Sequence, residues 1–261
     1  MNLQLIKYLL LISTLHMIQA CSTITRLSNE DINNYEINNF LLKQTDSTGK
    51  TRWEIKSNQA DHNASDMFIK VLNPYVYIYQ YDKPKYEIIS DNLEIYNNGE
   101  IIELNNNVNI KELSPKGFIM QGNKLIWNPK INQLNFIGKS LFHRFESTYN
   151  NKLINTLSVI SYDATWNSKQ GSLKSNGPVK GVNLINLVNR PQVLKSEKLV
   201  GNTIERFLDF KLCTLTDPNK MNTVANICKI KWTEDKSSIF EYNNLELFSD
   251  QKLVETKFLI N

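Results

Sequence analysis

The chain has little of what most enzymes are built from. Its 261 residues include only nine glycines, three histidines and three cysteines, and the glycines are scattered singly. Scattered glycines exclude a P-loop and a dinucleotide fingerprint, both of which need clustered glycine at fixed offsets. His62 and His143 stand far apart, and no cysteine sits near either at ligand spacing, so no zinc constellation forms. "DHNAS" brings Asp61 and His62 beside Ser65, but without the glycine-flanked elbow that exposes a catalytic serine it reads as a solvated turn. The charge is mildly basic, 30 Lys and Arg against 26 Asp and Glu, with both signs interspersed; a nucleic-acid footprint is missing. No catalytic residue, metal site or cofactor is expected.

Long apolar runs are also lacking. A spanning helix needs roughly 20 apolar residues, and the one greasy segment, Tyr8 to Ala20, is shorter and follows Lys7. Its charge-free core reads as a secretory signal over residues 1–20. Ala20 directly before Cys21, with Ile18 two residues further back, resembles the lipobox of bacterial lipoproteins, in which the cysteine is acylated. The expectation is a lipid-anchored domain; a cleaved signal beside a chance cysteine is the alternative. Ser22 resembles the non-acidic residue of lipoproteins sorted to the outer membrane, which leaves the choice of membrane open. Cys213 and Cys228 remain, and an oxidising compartment would permit them to pair.

Helical periodicity is sparse. "NEDINNYEINNFLLKQ", Asn29 to Gln44, places Ile32, Tyr35, Ile37, Phe40 and Leu41 at spacings that suit a short amphipathic helix or an irregular lead-in. Almost everything else alternates. In "PYVYIYQY" Tyr75, Tyr77, Tyr79 and Tyr81 share one face while Val76 and Ile78 take the other, which is the period of a strand. Four segments starting at Asp91, Asn123, Tyr162 and Cys228 repeat one order: strand, aromatic, polar turn, strand, then Gly or Asn. Their aromatics are Tyr96, Trp127, Trp166 and Trp232; Asn106, Gly138, Gly177 and Asn243 suit a sharp bend. The wide third gap leaves room for a degenerate unit or an insertion across "NLINLVNRPQVLKSEKLVGNTIERF".

Trp53 in "RWEIKSNQA", "NPYVYIY" at 73–79 and "YEIISDNLEIYNNGEIIELNNNVNI" at 86–110 together resemble the LptC family, the periplasmic component of lipopolysaccharide export, and related OstA-like β-repeat domains. At the corner where that family has a glycine, Asn106, Asn107 and Val108 stand here. The resemblance implies an all-β fold, a twisted open β-jellyroll or β-roll with an apolar trough. It implies as partners lipopolysaccharide or another long-chain lipid, an export ABC transporter complex and a soluble β-roll bridge protein. The organisation expected is 1–20 signal, 21–52 anchor linker and lead-in, and 53–261 β-roll, with 53–115 as an LptC-like core and 116–261 as a repeat extension if it divides.

Such a conduit works by apolar burial alone. Carrying a dozen methylenes bare through water costs on the order of 10 kcal/mol at about 0.8 kcal/mol each. The inward-facing candidates are Val76, Ile78, Ile102, Leu104, Val108, Ile110, Phe118, Met120, Leu134 and Phe136; an ordinary closed core is the alternative for each. An end strand offers unpaired backbone groups to a second roll, and "KLVETKFLI" at 252–260 alternates as such an edge would. Two other classes stay open: an envelope scaffold that binds proteins without lipid, and a carbohydrate-active β-solenoid, for which isolated Asp and Glu give no carboxylate pair.

Overall fold

The structure, a computed structural model, describes residues 34–63, 68–114, 117–147, 153–175, 177–183, 192–216, 223–232, 239–247 and 254–255. Apart from one 3-10 turn at Asn97–Gly99, its regular elements are strands. They run β1 Asn34–Thr45, β2 Thr51–Asn63, β3 Phe68–Leu72, β4 Tyr75–Gln80, β5 Lys83–Ile89, β6 Asn92–Tyr96, β7 Ile101–Glu112, β8 Phe118–Asn128 and β9 Gln133–Ser147. There follow β10 Leu153–Tyr162, β11 Ala164–Asn167, β12 Ser172–Ser175, β13 Val179–Asn183, β14 Gln192–Ser196, β15 Lys198–Asn202, β16 Phe207–Thr216, β17 Thr223–Lys231, β18 Ile239–Leu247 and β19 Val254–Glu255. All are joined in one antiparallel ladder.

The long strands bend in the middle and pair in two places. β7 pairs β6 through Ile101–Asn105 and β5 through Asn109–Glu112. β9 pairs β11 near Leu134 and β10 beyond Lys139. Each long strand therefore gives one half to each of two layers. The first layer holds β4, β5, β10, β13 and β14; the second holds β3, β6, β11, β12 and β15. The bends line up as a seam along one side, and the turns form a rim along the other. About a dozen rungs at ~4.8 Å give a roll about 60 Å long. The fold is the all-β roll that the sequence implies.

Asparagine makes the seam possible. Asn39, Asn73, Asn106 and Asn107 have positive φ, between 46° and 61°, a region that asparagine tolerates better than other residues with a side chain. Gly138, at φ 76°, does the same in β9, whereas Gly177 bends between β12 and β13 without entering that region. Gly122 is small for another reason: a Cβ there would lie 2.6 Å from the Phe136 ring. Buried serines satisfy the seam's carbonyls. The hydroxyls of Ser57, Ser90 and Ser196 each donate to the carbonyl two residues on, at 2.9 Å in every case.

From Asn34 on, the segment read as a helix or irregular lead-in is strand β1, antiparallel to β2 from Asn34↔Asn63 to Thr45↔Thr51, and its residues 29–33 lie outside the described ones. The reason is the bend at Asn39, whose positive φ breaks the inward–outward alternation while the register with β2 runs on unshifted. Ile37 and Phe40 face inward across it, and their spacing of three imitates a helical turn, while Tyr35 and Leu41 are exposed. Cys21 and the signal segment lie outside the described residues.

At the rim, the residue after Tyr96, Trp127 and Trp166 starts a turn. Asn128 Oδ1 accepts from the amides of Lys130 and Ile131, and Asn167 Oδ1 from those of Lys169 and Gln170. Asn202 does the same for Ile204 and Glu205, so the degenerate unit exists, with Gly201 in the aromatic's place. The turns stack: Asn167 Nδ2 donates to the carbonyl of Ile131 at 3.0 Å, and Asn202 Nδ2 to that of Gln170 at 3.1 Å.

Candidate functional site

Alternation in each half-strand turns one face into the space between the layers. All ten candidates lie there: Ile102, Leu104, Ile110, Val76 and Leu134 at 0 % exposure, and Ile78, the least covered, at 8 %. Val108, Phe118, Met120 and Phe136 are buried with them. They pack against one another and the facing layer as one apolar cluster. In the first layer, Ile55, Val76, Ile88, Ile110, Met120 and Phe142 follow each other rung by rung as its middle column. Leu93, Leu104, Leu125 and Phe136 do the same in the second.

Towards the rim the filling becomes aromatic, and the rings meet across the layers. Trp53 of the first meets Trp127 of the second at 5.6 Å and 70°. Trp166 of the second layer stands edge-on to Tyr86 at 4.8 Å and to Phe118 at 5.6 Å, both of the first. Phe142 reaches Trp232, just past β17, at 6.5 Å. All four tryptophans of the chain thus close the rim. Burial, with Glu112 nearby, pushes the Tyr86 hydroxyl well above its usual range.

The seam carries the covalent tie. Cys213 and Cys228 form a disulfide with their Cα atoms 6.0 Å apart, both nearly inaccessible to water. Cys213 pairs with Ala225 and Cys228 with Phe210, so the bridge runs from the first-layer half of β16 to the second-layer half of β17. It spans the bend at Leu212, which has φ 51° and an exposed side chain.

The outer face of β4 is different in kind. Tyr75, Tyr77 and Tyr79 line a shallow groove of about 410 Å³ with Glu54, Lys56 and Pro84. Burial pushes the Glu54 carboxyl up, but hydrogen bonds from Lys56 and from the Tyr79 hydroxyl more than reverse this, and it stays below the usual range. Tyr77 is pushed up to about 12 by burial and by its hydrogen bond to Glu87. These tyrosines cover the sheet from outside and do not reach the interior.

Among the described residues no group of three or more His, Cys, Asp or Glu could hold a metal, and no helix is long and apolar enough to cross a membrane. His62 lies against the carbonyl of Phe68 and His143 against the hydroxyl of Ser158. Of the C-terminal edge at 252–260, only Val254–Glu255 is described, as a short strand on β18. Inward-facing charges are what the sequence reading missed: Arg144, 2 % exposed, and Glu112 occupy interior positions of the first layer.

A family profile described as lipopolysaccharide-assembly, LptC-related, matches residues 4–135, just over half of the chain. No curated protein matches the chain significantly.

Proposed function

This chain belongs to the LptC-related family, periplasmic components of lipopolysaccharide transport, and from that premise we propose how its roll serves as a conduit module. The acyl chains of lipopolysaccharide, or of another long-chain envelope lipid, lie between the two layers along the apolar middle columns. The observation that carries this is the continuity of those columns over successive rungs, which offers a chain of methylenes one uninterrupted apolar path. Non-directional burial is enough, with no catalytic residue or cofactor. The side chains already fill the space, so a lipid enters as the layers part at the rim, where they are held by ring contacts and not by strand pairing. Each methylene buried, at about 0.8 kcal/mol, offsets the side-chain packing that the parted layers give up.

Acylation of Cys21 would hold the module at the membrane, since two or more acyl chains anchor firmly where one does not. β1 pairs only with β2 among the described strands, so its outer edge offers backbone groups to a neighbouring roll or to the transporter complex. At the other end of the ladder Val254–Glu255 pairs with β18.

A scaffolding lipoprotein that binds proteins alone is the competing reading, and the filled interior favours it. Native mass spectrometry of the purified mature protein separates the two. The conduit predicts co-purifying lipid that added lipopolysaccharide displaces; a roll that stays empty with lipopolysaccharide in excess overturns it.

A further inference from the structure

The rim column of the first layer runs, in ladder order, Trp53, Ile78, Tyr86, Glu112, and then Phe118 beside Arg144. Four of these six are apolar or aromatic, as an interior demands. Placing a charge there is costly unless something compensates it, and Glu112 and Arg144 are the two charged members of an otherwise apolar column. Arg144 is 2 % exposed and its guanidinium lies 5.4 Å from the Trp232 ring. Two more cations approach the same stretch. Lys85 sets its ammonium 5.2 Å over the Tyr86 ring, and Arg206, from the turn between β15 and β16, acts with Lys85 on the Glu112 carboxyl. Burial pushes that carboxyl up, and the two cations pull against it. Arg144 lies two ladder steps from Glu112, about 10 Å along the rim.

We propose, resting on the conduit reading above, that Arg144, Arg206 and Lys85 form a binding site at the rim for the head-group phosphate of an amphiphile whose chains lie between the layers. The placement follows from amphiphile geometry. Chains buried in the interior leave the head group at the boundary through which they enter, and that boundary is where Arg144, Arg206 and Lys85 come together. Guanidinium presents paired donors that match phosphate oxygens. In the empty roll Glu112 supplies the negative charge that Lys85 and Arg206 face; a head-group phosphate takes over that role when the chains are in place.

The test is equilibrium binding of radiolabelled lipopolysaccharide to the full chain, with its phosphates intact and after their chemical removal. Arg206→Asn suits the positive φ of 62° at that turn position. It is expected to weaken binding of the intact lipid about tenfold, the equivalent of one charge-assisted hydrogen bond, and to leave the dephosphorylated lipid unchanged. Arg144→Gln should do the same, and if that buried variant does not fold, Arg206→Asn and Lys85→Gln carry the test. Equal losses for both lipids, or no loss for either, overturn the phosphate site while lipid binding itself stands. Failure of the unaltered chain to bind either lipid removes the conduit reading, and this proposal with it. Inorganic phosphate at millimolar concentration provides the other arm. A head-group site keeps its preference for the intact lipid in its presence, whereas a site for the free anion loses it, which overturns the head-group assignment.

Discussion

Trp166→Ala is expected to destabilise the roll by about 3–5 kcal/mol, the range for emptying a fully buried tryptophan site. Trp166 is 0 % exposed and holds the layers together from the second: its ring meets Tyr86 at 4.8 Å and Phe118 at 5.6 Å across the interior. Its Nε1 also donates to the Thr203 hydroxyl at 3.3 Å, so the loss reaches the neighbouring turn. Aromatic pairs contribute about 0.5–1.5 kcal/mol beyond the area they bury, and two are lost at once. For a chain of this size the melting temperature should fall on the order of 10 °C. Thermal denaturation followed by circular dichroism is the readout. A fall of a degree or two would show that the layers are held elsewhere. Trp166→Phe keeps one ring and should recover much of the loss.

Removing the disulfide comes second in size. Cys213 and Cys228 are 15 residues apart, and closing a loop of that length stabilises by about 3 kcal/mol. Replacing both with alanine should lower the melting temperature by several degrees and make it indifferent to reductant. The position adds to the effect. In the earlier rungs the seam between β7 and β8 is flanked by Val108 and Leu125, an aliphatic pair in the places that the cysteines take between β16 and β17. Without the bond, the later bend keeps two alanines where the earlier one has two full aliphatic side chains. An identical melting temperature for the oxidised chain and the double variant would show that the bridge contributes nothing there.

The sequence was most legible where alternation runs undisturbed. Val76 and Ile78 against Tyr75, Tyr77 and Tyr79 in β4 needed only the period of two, and Tyr96, Trp127 and Trp166 marked the rim because each is followed by a turn. It was least legible at the bends. The bend at Asn39 converts a strand's inward positions into the spacing of a helix, and local periodicity cannot tell the two apart. At β8 the inward set passes from Phe118 and Met120 to Leu125 and Trp127, a change of parity that only the pairing register reveals. The serines of the seam carry no pattern of their own, because their partners are carbonyls that the fold brings near. Arg144 stayed hidden for a related reason. In "SLFHRF" Leu141 and Phe145 are apolar on one parity and Phe142 on the other, so neither face declares itself, and a charge is by habit assigned to the outside.

The central claim is that lipid lies between the layers, and light-activated cross-linking in the envelope tests it most directly. A benzoyl-phenylalanine replacing Phe118 or Phe136, both inward-facing aromatics, is compared with one replacing Tyr77 on the outer face of β4. The account predicts lipopolysaccharide adducts from the two inward positions and none from Tyr77. Adducts from Tyr77 alone, or from all three equally, would place the lipid outside the roll and contradict it.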